Sequence, residues 1–200
     1  MKLVFASNNA HKLEEVRKIL SNIEVVALRE IGFFEEIDET GNTLEQNSHL
    51  KAQTIWDWLV SKQLDTQYDG VFADDTGLEI DALGGAPGVW SARWAGEPSN
   101  DANNRAKALH EMRGISSREA HFRTVITWIG RDIDVQVEGL VYGTITETEQ
   151  GDGGFGYDAS FVPQGYSETF ATLPAEVKNS ISHRGRALEA LKKVIDQTKK

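Results

Sequence analysis

The sequence predicts an α/β fold built on a mixed β-sheet. A short, wholly apolar segment at 3–6, a helical pattern and a second strand-like segment at 24–28 together form a βαβ-like opening. Two long strand-like segments, 122–129 and 133–145, follow each other with a turn near Gly130 between them. Long strands this close along the chain argue against a purely parallel sheet.

The remaining elements are predicted from the same two periodicities. Helices are predicted where apolar residues recur every three or four positions, at 13–20, 43–62, 100–113 and 184–199. Shorter strands are predicted at 71–73, 78–81 and 161–163. Thr76 and Gly77 lie between two of these strands and are expected to turn the chain.

The amino-acid composition limits which architectures and which binding partners are possible. The chain has 200 residues, no cysteine, and 21 basic against 31 acidic residues, which gives a net charge of −10. This length suits one domain over residues 1–200, and the lack of cysteine excludes disulfides, a thiolate nucleophile and cysteine-ligated metals. The acidic charge argues against nucleic acid as a partner, and no apolar run approaches the ~18 residues of a membrane span. Because the N-terminus lacks a signal peptide as well, we expect a cytoplasmic protein.

A polar loop joins the first strand to the first helix. It consists of Ser7, Asn8, Asn9, Ala10, His11 and Lys12. A strand, loop and helix in this order present backbone N–H groups and a helix N-terminus to an anion, and Lys12 adds a full positive charge. The glycines of a Walker loop are absent, which excludes a P-loop NTPase. The alternative is an ordinary polar turn with a solvated lysine.

Two adjacent acids, Asp74 and Asp75, directly follow the apolar segment 71–73. Neighbouring side chains of an extended chain point to opposite faces, so we do not expect both to enter one site. A carboxylate at the end of a strand is a common magnesium ligand or general base. The alternative is a pair of solvated acids in a turn. If the two carboxylates are instead buried beside Phe72, they require a cation.

The segment 151–158 combines four glycines with two aromatic residues. Glycines allow the backbone to approach a ligand closely, and Phe155 and Tyr157 offer flat faces on which a base can stack. Asp158 is a candidate acceptor for hydrogen bonds from a base or sugar. Glycine loops with an aromatic plug also seal the ends of sheets, and the residues alone leave both interpretations open.

Donor side chains are concentrated just before the last predicted helix. Lys178, Ser180, Ser182, His183 and Arg184 lie within seven residues of one another. Such a group suits an oxygen-rich ligand. The alternative is a helix cap at Ser182 that is surrounded by solvated charges.

Six segments, in this order, resemble the inosine triphosphate pyrophosphatase family: 7–12, 72–78, 84–88, 91–93, 155–158 and 181–184. The resemblance implies an elongated mixed β-sheet flanked by helices, with two lobes around a central nucleotide cleft, usually in a homodimer. It also implies Mg²⁺-dependent hydrolysis of the purine nucleoside triphosphates ITP, dITP and XTP to the monophosphate and pyrophosphate.

The same resemblance implies roles for single residues. Asp75 would be the metal-associated proton acceptor and the catalytic residue. The loop from Ser7 to Lys12 would hold phosphates. The remaining substrate contacts would be Thr76, Phe155, Gly156, Tyr157, Asp158, Lys178, His183 and Arg184.

One position departs from the family pattern in a way that bears on the metal. Gln46 stands where the family usually has a metal-binding glutamate. An amide oxygen can still ligate Mg²⁺ but carries no charge, so Gln46 is a predicted ligand of reduced strength. This departure leaves one alternative, a nucleotide-binding sensor with a weakened metal site. A separate alternative is a related house-cleaning pyrophosphatase with a different base preference.

Overall fold

The computed structural model describes residues 1–198 and has the mixed α/β architecture that the sequence predicts. Its strands are β1 (Lys2–Phe5), β2 (Glu24–Ala27), β3 (Gly70–Ile80), β4 (Pro87–Gly88), β5 (Glu119–Gly130), β6 (Ile133–Ile145) and β7 (Phe161–Pro163). Its helices are α1 (Ala10–Ile19), α2 (Leu44–Ser61), α3 (Asp101–Glu111), α4 (Ala175–Ile181) and α5 (His183–Thr198). The helix predicted over 184–199 is therefore confirmed as α5, except that Lys199 lies outside the described residues.

Pairing directions confirm a mixed sheet. The hydrogen-bonded order of the strands is β2-β1-β3-β5-β6-β7, with β4 paired to β3. β1 runs parallel to both β2 and β3, whereas β4 is antiparallel to β3 and β7 is antiparallel to β6. The predicted βαβ opening is thus β1, α1 and β2.

The prediction of a turn at Thr76 and Gly77 is wrong. β3 is one continuous strand of 11 residues, so Asp74 and Asp75 lie in its middle. Gly77 serves a different purpose, because a Cβ atom there would lie 2.7 Å from the backbone oxygen of Gly88 in β4. The glycine allows close approach of the neighbouring strand.

The chain divides into two compact units. The first comprises residues 1–75 and 124–139 and the chain from 187 onward. Its β1 strand is covered on both faces: Leu3 and Phe5 pack in a cluster with residues of α1 and α5, while Val4 packs with residues of α2. This explains why β1 is a continuous apolar run without alternation.

The second unit comprises residues 76–123 and 140–186. Its core is rich in aromatic rings, with Phe122 and Phe161 centred 4.8 Å apart and Phe161 and Phe170 5.4 Å apart. The sequence does not predict α4, which has one buried residue and therefore no apolar stripe. The predicted cap at Ser182 is confirmed, since its Oγ accepts the Gly185 N–H at 3.0 Å, but the alternative that the charges around it are solvated is wrong, because Lys178 and Arg184 are buried.

No helix within residues 1–198 is long and apolar enough to cross a membrane. A single domain over residues 1–200 stays a prediction.

Candidate functional site

A buried ammonium bridges two carboxylates in the first unit. The Lys51 Nζ of α2 lies 3.0 Å from the Asp75 Oδ1 of β3 and 2.5 Å from the Oε1 of Glu39. Lys51 and Asp75 are each 7% exposed. Lys51 and Glu39 are not among the site residues predicted from the sequence.

Asp74 pairs with a different lysine. Its Oδ1 lies 2.9 Å from the Lys12 Nζ, and the residue is 1% exposed. The two adjacent acids therefore have separate partners, as expected for neighbours in an extended strand. Lys12 and Lys51 supply the cations that two buried carboxylates require.

The charges in this cluster shift each other's proton affinity. Burial raises the pKa of Asp75, and the nearby Lys51 and Lys12 only partly oppose this rise. Burial also acts to lower the pKa of Lys51, but the carboxylates of Asp75 and Glu39 outweigh it and the net shift is upward. Lys51 therefore stays cationic, while Asp75 accepts a proton more readily than an ordinary aspartate does.

The polar loop before α1 is organised by its own side chains. Asn9 Oδ1 accepts the N–H groups of His11 and Lys12 at 3.0 and 3.1 Å, and Ser7 Oγ accepts the Asn9 N–H at 3.2 Å. Asn9 is thus the N-cap of α1. The predicted residues of this loop lie together, and the four from Asn8 to His11 are exposed.

Gln46 is exposed at the start of α2. Its Oε1 accepts the Asn42 N–H at 2.7 Å, and its own N–H donates to Thr43 Oγ1 at 3.2 Å. These bonds make the side chain part of the helix cap. Among the residues that the structure describes, no contact joins the Gln46 side chain to Asp75.

The fit of this cluster to a divalent cation follows from its donor atoms. No group of three or more His, Asp or Glu side chains within residues 1–198 has the arrangement of a metal site. However, Glu39 and Asp75 both lie within 3.0 Å of one ammonium, so two carboxylates already converge on a single positive charge. Carboxylate oxygens are the ligands that Mg²⁺ prefers, so the donor atoms of Glu39 and Asp75 are of the type that suits it, and the Lys51 ammonium now bonds both.

The second unit contains a buried ion pair beneath an aromatic ring. Asp158 Oδ2 accepts hydrogen bonds from Lys178 Nζ at 2.7 Å and from the Phe155 N–H at 2.8 Å. Lys178 Nζ and the Arg184 guanidinium lie 4.9 and 5.6 Å from the centre of the Phe155 ring. Asp158, Lys178 and Arg184 are all 5% exposed or less. The structure thus places a flat ring beside two cationic donors.

Thr76 contacts a member of this group, whereas the His183 ring contacts a phenylalanine outside it. Arg184 Nη2 donates to Thr76 Oγ1 at 3.3 Å. The His183 ring stacks on Phe122, with the centres 4.6 Å apart and the planes 18° apart. Among the predicted residues of the second unit, Thr76 and Arg184 are therefore in contact.

Tyr157 belongs to the core of the second unit. It is 5% exposed, and its hydroxyl donates to the backbone oxygen of Ser91 at 2.8 Å. Burial raises the pKa of Tyr157, so the hydroxyl remains a donor. Tyr157 therefore stays a predicted substrate contact, and Phe155 is the ring that lies beside Lys178 and Arg184.

The sequence did contain a signal for Lys51. Lys51 lies on the buried stripe of α2, where Leu44, Ser48 and Ile55 are spaced three or four residues apart around it. A lysine on the buried stripe of an amphipathic helix requires a buried anionic partner. Glu39 precedes the helix in an irregular loop and carries no comparable signal.

Comparison with known sequences shows similarity along the whole chain. A profile described as the Ham1 family matches residues 3–194. A Flavobacterium johnsoniae protein named dITP/XTP pyrophosphatase is 46% identical over 200 residues, which cover 100% of both chains. A Clostridium perfringens protein with the same name is 44% identical over 196 residues, which cover 96% of this chain and 95% of that one.

Solved structures show the same extent of similarity. The Staphylococcus aureus Ham1 protein superposes with a TM-score of 0.85 at 35% identity, covering 99% of this chain and 100% of that one. A Mycobacterium abscessus structure described as a nucleoside-triphosphatase or dITP/XTP pyrophosphatase superposes with a TM-score of 0.72 at 39% identity, covering 96% and 98%. The likeness therefore includes both units.

Proposed function

The chain belongs to the Ham1 family, and on that basis we propose that it is a pyrophosphatase of non-standard purine nucleoside triphosphates. The observation that carries this function is full-length identity of 44–46% to proteins named dITP/XTP pyrophosphatase. The reaction hydrolyses dITP, XTP and ITP to the monophosphate and pyrophosphate. Enzymes of this class remove these nucleotides from the pool.

We propose that the first unit acts on the phosphates. Water attacks the α-phosphorus, the bond from that phosphorus to the bridging oxygen breaks, and the proton of the water passes to Asp75. The raised pKa of the Asp75 carboxyl suits it to accept this proton. Lys51 holds the carboxylate in place at 3.0 Å, and Lys12 with the loop 7–12 binds phosphate oxygens.

We propose Mg²⁺ as the cofactor, with Asp75 and Glu39 as the carboxylates that would hold it. When bound, the ion supplies positive charge that offsets the charge of the triphosphate. Gln46 stays a predicted ligand, but its oxygen is already bonded to the Asn42 N–H at 2.7 Å. This geometry supports Glu39 as the second ligand.

Two substitutions separate these ligand assignments. Glu39→Gln is expected to weaken Mn²⁺ binding to the nucleotide-free protein at least about tenfold in a calorimetric titration, because a charged ligand is lost. Gln46→Leu is expected to change it less than about twofold, and Glu36→Gln, an exposed residue of the same loop, is the charge-matched control. The reverse ranking of Glu39 and Gln46 would assign the metal to Gln46.

We propose that the second unit recognises the base. Hypoxanthine and xanthine present an acceptor at O6, whereas adenine presents a donor amino group at the same place. Lys178 and Arg184 offer donors beside the Phe155 ring. Adenine would leave two donors facing each other, and unpaired buried polar groups discriminate strongly between ligands.

A panel of nucleotides tests this function against both alternatives. With Mg²⁺ present, kcat/KM for pyrophosphate release from dITP, ITP and XTP is expected to exceed that from dATP, ATP and dTTP by about 100-fold or more. Equal rates with dATP would point to a pyrophosphatase with another base preference. Binding of dITP without cleavage at any Mg²⁺ concentration would point to a sensor.

We also propose a homodimer that works in the cytoplasm on small-molecule nucleotides. The family resemblance supports the homodimer. The proposed nucleotide substrates support the location. The net charge of −10 favours a free nucleotide over nucleic acid as the ligand.

A further inference from the structure

Gly156 connects the two aromatic residues of the glycine-rich loop and has a left-handed backbone conformation. Its φ is +59°, and nothing lies within 4 Å of the position that a Cβ atom would take. The glycine is therefore required by its backbone angle and not by crowding. Glycine can adopt many backbone conformations. The loop therefore needs hydrogen bonds from neighbouring residues to keep a single conformation at Gly156.

Helix α3 supplies those contacts. Asp101 Oδ2 accepts the Gly156 N–H at 2.8 Å, and Arg105 Nη1 donates to the Gly156 backbone oxygen at 2.8 Å. Asp101 and Arg105 are four residues apart and thus lie on the same face of the helix. Both polar groups of the Gly156 backbone are held by this one face.

Arg105 also contacts the residue at the start of this loop, Glu149. Its Nε lies 2.9 Å from Glu149 Oε2, so one guanidinium contacts residues seven positions apart along the chain. The Arg105 side chain is 18% exposed and the Glu149 side chain 40%. Arg105 therefore spans the segment from Glu149 to Gly156 from a sheltered position.

These bonds fix the backbone on both sides of Phe155. The Phe155 N–H is held by Asp158 at 2.8 Å, and the next N–H along the chain, that of Gly156, is held by Asp101. Fixing the backbone on both sides limits where the ring can point. The ring lies beside Lys178 and Arg184, the donors proposed for the base.

We propose that Asp101 and Arg105 are positioning residues for base recognition, which hold Phe155 in place through Gly156. This inference rests on the proposed function. The two residues contact the loop and not the nucleotide, and they act on nucleotide binding and base preference, while the chemistry at the phosphates is independent of them.

Steady-state kinetics of Arg105→Met test the proposal. KM for dITP is expected to rise about tenfold while kcat changes less than about twofold. The reason is that the substitution loosens only the Phe155 ring, on which the base binds. The preference for dITP over dATP is expected to fall. Arg113→Met is the control, because this exposed arginine follows the same helix and makes no side-chain contact described for residues 1–198.

A second pair of variants separates positioning from folding. Asp101→Asn retains an oxygen that can accept the Gly156 N–H and is expected to keep KM within about twofold of the wild type, whereas Asp101→Ala is expected to raise it several-fold. Thermal melts of all variants check that each is folded.

If Arg105→Met leaves KM unchanged, or lowers kcat as much as it raises KM, the positioning role is wrong. If the wild type itself releases no pyrophosphate from dITP, the proposed function fails and the positioning role fails with it.

Discussion

Replacing Asp75 by asparagine is expected to lower kcat for dITP hydrolysis about 1,000-fold. The neutral amide has the shape of the carboxyl but cannot take a proton from water. Lys51 would then retain Glu39 as its anionic partner at 2.5 Å, so the ammonium stays paired. The loss is measured as pyrophosphate release at saturating Mg²⁺ and dITP.

Asp75→Asn is expected to do this without lowering the free energy of unfolding at pH 7. Burial raises the folded-state pKa of Asp75 above its unfolded value. The stability that such a group contributes is present below the unfolded pKa and is lost as the pH rises through the folded pKa. The ionised carboxylate thus opposes folding at neutral pH, and a neutral isostere relieves this.

The control for Asp75→Asn is the same change at Asp132, an exposed aspartate between β5 and β6. Asp132→Asn is expected to leave both kcat and the melting temperature unchanged. An Asp75→Asn protein that hydrolyses dITP at the wild-type rate would show that another group accepts the proton.

Replacing Lys178 by methionine is expected to raise KM for dITP about 100-fold and to destabilise the protein by about 3 kcal/mol. The first effect reflects the loss of a cationic donor beside Phe155. The second arises because Asp158, 4% exposed, would lose the ammonium that lies 2.7 Å away. Breaking a buried ion pair leaves an uncompensated charge, which is costly. Steady-state kinetics and urea unfolding measure the two effects.

A double variant separates these two effects. Adding Asp158→Asn to Lys178→Met removes the negative charge that lost its ammonium and keeps an oxygen for the Phe155 N–H, so most of the lost stability is expected to return. KM is expected to stay high, since the donor for the base is still absent. Recovery of KM together with stability would mean that Lys178 is only structural.

Much of the fold could be predicted because its elements are set by local patterns. β1 is buried on both faces, and its continuous apolar run shows this directly. β3 was predicted in two pieces because Asp74 and Asp75 interrupt its apolar pattern. The lysines that neutralise them lie in α1 and α2. Ion pairs between residues far apart in the sequence cannot be predicted from local periodicity.

The candidate site was predictable where motifs are contiguous. Asp158, Lys178 and Arg184 were identified from short segments, and the structure brings them together around Phe155. Glu39 could not be identified, since its importance depends on a contact with Lys51, 12 positions away. Tyr157 stays a predicted substrate contact: its ring is buried and its hydroxyl donates to the backbone oxygen of Ser91.

The position of bond cleavage tests the central claim most directly. Wild-type protein is incubated with dITP and Mg²⁺, and the products are identified by phosphorus NMR. The account requires dIMP and pyrophosphate in equal amounts, with no orthophosphate, because the bond that breaks is the one between the α- and β-phosphates. Accumulation of dIDP and orthophosphate would place the attack at the terminal phosphate and would contradict it.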